Sequence, residues 1–120
     1  MTGVVAVVDD DPRVLESLEN LLESAGYRVR LFSSPVSLLA DDDLARIDCL
    51  ISDIRMPIMD GLALAQVIHR KLPELPVILI TARDVPSETI ANRPGIRGCF
   101  RKPFDAHQLL AAVASAVLPP

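Results

Sequence analysis

The amino-acid sequence predicts an α/β domain in three layers, with helices on both faces of a five-stranded parallel sheet. Short apolar runs alternate along the chain with longer segments whose apolar residues follow helical spacing. Several runs are apolar at every position, which is typical of strands buried on both faces of a parallel sheet. At 120 residues the chain can bury one core and is too short for two, so residues 1–120 are expected to form one domain, with a linker starting at 118–120.

The first strand and the first helix are marked by their own residues. An apolar run over residues 3–8 predicts a strand. Asp11 is expected to cap the helix that follows, with Pro12 as its first residue, because an aspartate side chain accepts backbone N–H groups and proline fits the first helical position. Gly26 marks the end of this helix. Its apolar face consists of Val14, Leu15, Leu18, Leu21, Leu22 and Ala25.

The middle of the chain continues the alternation. Residues 27–32 predict a short second strand, and the serine and proline that follow open a brief helix over 34–39. The three consecutive aspartates at 41–43 form a solvated acidic loop. A fully apolar third strand is expected over 49–52, and a helix with one apolar side over 61–71.

The remaining elements complete the sheet and its cover. Residues 76–80 predict a fully apolar fourth strand, and residues 98–101 a weaker fifth strand. Asp105 is expected to cap the last helix. The apolar face of that helix consists of Leu109, Leu110, Val113 and Val117.

The composition excludes several classes of function. Sixteen acidic and twelve basic residues give a net charge of -4, which repels a phosphate backbone, so direct binding of nucleic acid is not expected. No apolar run approaches the roughly 20 residues of a membrane span, and the first residues do not have the pattern of a signal peptide. With two cysteines, the protein is expected in the reducing cytoplasm. Cys49 and Cys99 both lie in apolar stretches and are expected to be small buried hydrophobic residues.

Polar side chains stand where four of the predicted strands end. Asp9 and Asp10 follow the first strand, Asp53 follows the third, Thr81 follows the fourth, and Lys102 lies beside the end of the fifth. The carboxyl ends of parallel strands meet at one edge of a sheet, where open α/β sheets bind their ligands. We therefore expect these five residues to form one site.

The residue types at this edge favour phosphoryl transfer to a carboxylate. Three carboxylates that lie close together repel one another unless positive charge is present, and Lys102 supplies one unit. Ligands that offer only oxygen favour Mg²⁺, or else Mn²⁺, over zinc. Asp53 stands alone on a central strand and is the candidate nucleophile, with Thr81 as a hydrogen-bond donor to a phosphoryl oxygen.

Four motifs together resemble the receiver domain of bacterial two-component response regulators, the CheY-like family. "VVDDDP" at 7–12 is similar to the acidic pocket of that family, and "SDIRMPIMDG" at 52–61 to its phospho-acceptor motif. "ITA" at 80–82 is similar to its switch hydroxyl, and "KPF" at 102–104 to its lysine loop. The resemblance covers essentially the whole chain and implies a doubly wound, flavodoxin-like sheet in the strand order 2-1-3-4-5.

The resemblance also implies roles for individual residues. Asp53 would be phosphorylated, Asp10 and Asp53 would ligate Mg²⁺, Asp9 would assist through water, and Arg55 would offer its backbone carbonyl to the metal. Thr81 would move to hold a phosphoryl oxygen. Lys102 would pair with the phosphate.

Two further features follow from the same resemblance. The bond between Lys102 and Pro103 would be cis. The side chains of Arg55 and Arg83, each two positions beyond a site residue, would influence how fast the phosphorylated domain hydrolyses its own acyl phosphate.

The implied role is that of a signalling phosphoprotein rather than an enzyme. The phosphoryl donor would be a sensor histidine kinase, and the chain would catalyse only its own phosphorylation and dephosphorylation. An output domain or a regulated protein would read the signal, and phosphorylation would favour a homodimer. Neither a nucleic acid nor a membrane is an expected direct partner.

The sequence departs from the family pattern at two places. Cys99 stands three residues before the lysine, where most members carry Tyr or Phe, and alternation along a strand places Phe100 on the opposite face. A fourth helix should lie between the fourth and fifth strands, but Pro94 and Gly95 leave room for only about two turns, so a short or distorted fourth helix is predicted.

Four remaining residues are not assigned to the site. In the implied strand order Cys49 and Cys99 are two strands apart, so no disulfide between them is expected. His69 and His107 occupy helical positions away from the strand ends and are expected to be ordinary surface or boundary residues.

Three other functions are weighed against this interpretation. A phosphatase of the haloacid-dehalogenase type would need two acids separated by one residue after the first strand, in a longer chain, and "DDDPR" does not provide that loop. A flavodoxin-like flavin binder would place a phosphate where Asp9 to Asp11 repel it. A receiver fold that serves only as a protein-interaction module, unregulated by phosphorylation, remains the alternative.

Overall fold

One sheet of five parallel strands organises the part of the chain that the structure describes. The structure is a computed structural model, and it describes residues 3–82 and 93–117. The strand order is β2-β1-β3-β4-β5, as the resemblance implied. The strands are β1 (Val4–Val8), β2 (Arg28–Phe32), β3 (Cys49–Asp53), β4 (Val77–Thr81) and β5 (Ile96–Arg101).

Three of the described helices connect successive strands and one follows the last strand, and capping side chains mark where they begin. The described helices are α1 (Pro12–Ser24), α2 (Pro35–Leu39), α3 (Gly61–Lys71) and α4 (Ala106–Val117), and a 3₁₀ turn covers Leu44–Arg46. Asp11 accepts the backbone N–H of Arg13 and so caps α1, as predicted. Asp60 caps α3, and Asp105 accepts the backbone N–H of Gln108 at the start of α4, which confirms the predicted cap.

The sheet separates two apolar layers. One layer lies between the sheet and α2 and α3, and it includes Leu38, Leu50, Leu64, Ile68 and Leu79. The other lies between the sheet and α1 and α4, and it includes Leu18, Leu22, Ile51, Ile80 and Leu109. The three central strands are covered on both faces, which explains why their sequences are apolar without alternation.

Several boundaries differ from the predicted ones by a few residues. Asp53 and Thr81 are the last residues of β3 and β4, whereas the sequence placed them just after those strands. β5 begins at Ile96, two residues earlier than predicted. Its register against β4 shifts between Val77 and Ile78, so that Arg97 is the extra residue of a bulge.

The two cysteines are free, as expected, but they differ in burial. Cys49 is fully buried, and the expectation of a small hydrophobic residue is confirmed for it. The same expectation is wrong for Cys99, which is exposed. Cys99 lies on the edge strand β5, whose residues alternate between half-buried and exposed, and Phe100 takes the half-buried position against the α1 and α4 layer. Phe100 and Cys99 therefore lie on opposite faces, as predicted.

Some predictions concern other parts of the chain. The short fourth helix that the sequence predicts between β4 and β5, which is not α4, would fall mainly on residues 83–92. These residues, Arg83 among them, lie outside the described residues.

Gly95, just before β5, has a positive φ of 82°, a conformation that favours glycine. His107 is exposed, and His69 is half-buried in the last turn of α3, so both fit the expectation of surface or boundary residues.

Candidate functional site

The centre of the site is an ion pair between the ends of β1 and β5, in which the carboxylate is buried and the lysine is partly exposed. Asp9 directly follows β1 and is 0% exposed. Its Oδ2 accepts a hydrogen bond from Lys102 Nζ at 3.1 Å, and its Oδ1 accepts one from the backbone N–H of Asp11 at 2.9 Å. Lys102 follows β5, so these contacts join residues that are 93 positions apart in the sequence.

A second carboxylate shares the same ammonium group. Asp53 Oδ2 lies 3.5 Å from Lys102 Nζ, and the residue is 6% exposed. Asp53 Oδ1 lies 3.4 Å from the backbone nitrogen of Arg55, which donates to it. Lys102 thus lies between two buried carboxylates that come from β1 and β3.

Asp10 completes a group of three acids on the solvent side. Carboxylate oxygens of Asp9, Asp10 and Asp53 all lie within 4.8 Å of one another, and Asp10 is the exposed member. One cation for three carboxylates leaves a net negative charge in a partly buried site. Such a site attracts a further cation.

Thr81 stands at the same edge, at the end of β4. The residue is 3% exposed, and its carbonyl oxygen accepts a hydrogen bond from the backbone N–H of Lys102 at 2.7 Å. The bond between Lys102 and Pro103 is cis, as the resemblance implied. All five residues that the sequence assigned to the site therefore stand at the carboxyl edge of the sheet.

Burial raises the pKa of the Asp9 carboxyl above its ordinary value of 3.8. The hydrogen bonds from the Asp11 amide and the Lys102 ammonium act in the opposite direction, and the nearby Asp53 charge adds to the rise. Because loss of hydration outweighs these hydrogen bonds, holding Asp9 ionised costs free energy in the folded chain. Perturbed carboxyl groups of this kind cluster at functional sites.

The acidic group fits a hard divalent cation. Its donors are carboxylate oxygens, and neither cysteine nor histidine belongs to the group that the described residues form. Mg²⁺ prefers oxygen donors of this kind, whereas zinc prefers nitrogen and sulfur. The pocket therefore has a donor set that can bind a metal ion.

Two residues next to Asp53 were not assigned to the site by sequence reasoning. Ser52 is fully buried, and its hydroxyl donates to the carbonyl oxygen of Asp53 at 3.0 Å. Gly61, the first residue of α3, packs so closely on the end of β3 that a Cβ there would lie 2.3 Å from that same oxygen. The signal for Ser52 was a single hydroxyl within an otherwise apolar strand, which requires a buried partner.

Comparison with known proteins identifies the family. The model of the response regulator receiver domain matches residues 5–114 of the chain. The chain belongs to the response regulator receiver family. This match includes all five site residues together with Arg55, and it agrees with the CheY-like strand order of the sheet.

Curated relatives of this receiver domain are response regulators. The chain is 41% identical to the response regulator protein TmoT of Ectopseudomonas mendocina over an alignment that covers 96% of the chain and 53% of TmoT. It is 40% identical over 116 residues to the DNA-binding transcriptional regulator NtrC of Salmonella typhimurium, covering 96% of the chain and 25% of NtrC. The chain thus spans about half the length of TmoT, and about a quarter of NtrC.

Solved structures agree with this assignment. The structure of the response regulator StyR superposes with a TM-score of 0.87 at 35% identity, over 98% of this chain and 60% of the StyR chain.

Within residues 3–82 and 93–117, no helix is both long enough and apolar enough to cross a membrane.

Proposed function

We propose that this receiver domain accepts a phosphoryl group on Asp53 from a phosphohistidine of a sensor histidine kinase, and then changes conformation to signal to an output. The observation that carries the proposal is the convergence of three acids and one lysine at the carboxyl edge of the sheet. Asp53 is the acid of this group that ends the central strand β3, and Lys102 Nζ lies 3.5 Å from its Oδ2.

The transfer is a displacement at phosphorus. An oxygen of the Asp53 carboxylate forms a bond to phosphorus while the bond from phosphorus to the imidazole nitrogen of the donor breaks. The electron pair of that bond stays on the nitrogen, and because the other ring nitrogen of the donor carries a proton, the histidine leaves as a neutral imidazole. Lys102 offsets the negative charge of the phosphoryl oxygens, and Thr81 donates its hydroxyl to one of them.

The neighbouring acids would bind a divalent cation. Asp10 and Asp53 would hold Mg²⁺, or Mn²⁺ in its place, with Asp9 assisting through water and Arg55 contributing its backbone carbonyl. When bound, the ion supplies positive charge that offsets the charges of the acceptor carboxylate and the phosphoryl group. Without that charge, Asp53 would meet the anionic phosphoryl group beside two other carboxylates, so the reaction is expected to depend on the metal.

The domain acts on itself and on no separate substrate. Later, water attacks the acyl phosphate on Asp53, which returns the carboxylate and releases phosphate. Because the chain spans about half of TmoT, we propose that it works within a longer cytoplasmic response regulator. The family relationship to NtrC, a DNA-binding transcriptional regulator, favours an output that binds DNA. We further propose, from the resemblance alone, that phosphorylation favours a homodimer.

Acetyl phosphate tests the proposal without a kinase. Incubation with acetyl phosphate and Mg²⁺ is expected to add one phosphoryl group to the intact chain, measured by mass spectrometry. Asp53→Asn is expected to abolish this addition, and EDTA to prevent it. Asp42→Asn changes an exposed aspartate in the loop after α2, so it serves as the matched control and should leave the addition unchanged.

The outcome separates the two candidate functions. Addition that persists in Asp53→Asn would place the phosphoryl group elsewhere and overturn the assignment of the acceptor. Intact protein that takes up no phosphoryl group in Mg²⁺ would favour the alternative, a receiver fold that acts as a protein-interaction module.

A further inference from the structure

The peptide unit that joins Asp53 to Ile54 is held on both sides by buried groups. Its N–H, that of Ile54, donates to the carbonyl oxygen of Ile80 on β4 at 2.9 Å. Its carbonyl oxygen, that of Asp53, accepts the hydroxyl of Ser52 at 3.0 Å. Both polar groups of this peptide are therefore satisfied at the point where β3 leaves the sheet.

Helix α3 closes over the same peptide. The backbone N–H of Gly61 donates to the carbonyl oxygen of Ile54 at 2.7 Å. A Cβ on residue 61 would lie 2.3 Å from the carbonyl oxygen of Asp53 and 2.9 Å from Cα of Ile54, which is closer than any side chain allows. The carbonyl group of Asp53 is thus confined between the Ser52 hydroxyl and the first residue of α3.

The orientation of this peptide decides how Arg55 lies relative to the Asp53 carboxylate. A rotation of the peptide turns the chain that follows, including the Arg55 backbone, whose nitrogen now lies 3.4 Å from Asp53 Oδ1. Without the Ser52 hydroxyl, the Asp53 carbonyl would be a buried acceptor with no side-chain donor, and it would gain by turning toward another donor. Arg55 would then move away from the acceptor.

We propose that Ser52 is a positioning residue for phosphoryl transfer, which acts through the Asp53–Ile54 peptide with Gly61 as its steric support. This inference rests on the proposed function, because it concerns the same acceptor. Ser52 itself touches neither the phosphoryl group nor the cation in this assignment. Its hydroxyl fixes the orientation of the Asp53–Ile54 peptide, and with it the position of the Arg55 backbone relative to the Asp53 carboxylate.

The test is the rate of phosphorylation by acetyl phosphate in saturating Mg²⁺, measured well below the thermal midpoint of each variant. Ser52→Ala is expected to slow labelling about tenfold, as loss of a supporting hydrogen bond around a metal site commonly does. Ser52→Ala is also expected to weaken the Mg²⁺-induced rise in thermal midpoint, a readout that does not depend on the reaction.

Ser52→Thr separates positioning from stability. Threonine keeps the hydroxyl but adds a methyl group at a fully buried position, so the thermal midpoint should fall while the labelling rate returns to within about threefold of wild type. Ile68→Val, a change in the same apolar layer far along α3, lowers stability by removing one methylene and should leave the rate unchanged. If Ser52→Ala does not fold, Ser52→Cys has nearly the same volume with only a weak donor and replaces it.

Two results would overturn the positioning role while leaving the proposed function intact. One is a folded Ser52→Ala or Ser52→Cys protein that is labelled as fast as wild type. The other is a folded Ser52→Thr protein that is as slow as Ser52→Ala, because rate would then follow packing and not the hydroxyl. Failure of wild type itself to be labelled would overturn the proposed function and, with it, this inference.

Discussion

Asp9 and Asp41 each accept hydrogen bonds from a cationic side chain, yet their acidities shift in opposite directions. Burial raises the pKa of Asp9, although Lys102 Nζ lies 3.1 Å from its Oδ2. Asp41 lies at the periphery, where two nitrogens of Arg30 donate to its two oxygens, and these hydrogen bonds lower its pKa. A cation at hydrogen-bond distance therefore does not by itself set the pKa of a carboxyl group. A buried carboxylate has lost its hydration, and the cation must first compensate for that loss before it can lower the pKa.

The two ion pairs also differ in how their charges are balanced. The Arg30–Asp41 pair connects β2 to the loop after α2, and solvent shares in stabilising both charges. The Asp9–Lys102 pair connects the ends of β1 and β5 and leaves two carboxylates to one ammonium group. Replacing a buried ion pair by apolar residues is often neutral or stabilising, so stability alone does not account for these charges, and the proposed phosphoryl transfer would account for them.

The largest difference between the two pairs is expected when their cations are removed. Lys102→Met leaves Asp9 and Asp53 buried together without an ammonium group, and the free energy of unfolding at pH 7 in EDTA should fall by about 2–3 kcal/mol, somewhat below the usual figure because the lysine is partly exposed. Arg30→Met should cause a much smaller loss. Urea denaturation measures both, and equal losses would remove the distinction between the pairs.

Binding of Mg²⁺ to the acidic group is expected to have a smaller effect on stability. Mg²⁺ at ten times its dissociation constant should add about 1.4 kcal/mol to the free energy of unfolding of wild type, because the ion binds only the folded chain. Asp10→Asn removes an exposed carboxylate of the group and should largely abolish the rise in thermal midpoint. Asp42→Asn should keep that rise, and its loss in this control would point to a general effect of salt.

The smallest effect is expected on the thermal midpoint in EDTA, which substitutions of Asp9 and Asp41 should shift in opposite directions. Because the folded pKa of Asp9 is raised, its ionised form costs stability above that pKa, and the cost disappears as pH falls toward 3.8. Asp9→Asn should therefore raise the thermal midpoint at pH 7 and lose this advantage in acid. Asp41 has a lowered pKa, so its contribution is present above 3.8 and is lost as pH falls through the folded value.

Asp41→Asn should accordingly lower the thermal midpoint at pH 7. Thermal melts of the two variants and wild type between pH 3 and pH 7 measure both changes. A fall in midpoint for Asp9→Asn at pH 7 would mean that the hydrogen bonds of Asp9 outweigh its loss of hydration.

Most of the fold was predictable because local rules decided it. The caps at Asp11 and Asp105 were readable from single side chains, and the unbroken apolar runs identified the central strands. The edge strand β5 was less predictable. Its bulge at Arg97 depends on pairing with β4, and the exposure of Cys99 depends on which helices cover that face.

The candidate site was predictable in its membership and less so in its support. Asp9, Asp10, Asp53, Thr81 and Lys102 could be named because each stands at the end of an apolar run. Ser52 and Gly61 could not be assigned to the site, since a serine in a strand and a glycine at a helix start have many ordinary explanations. The positioning role proposed for them depends on the packing of α3 on the end of β3.

The sequence by itself determined the succession of strands and helices along the chain, the caps and the residue types at the strand ends, because periodicity and side-chain chemistry are local properties. Only the tertiary structure decided that Lys102 lies 3.1 Å from Asp9 and 3.5 Å from Asp53, and that Asp9 is buried deeply enough to raise its pKa. Distance and burial depend on how distant segments pack, and an electrostatic interaction takes its strength from both.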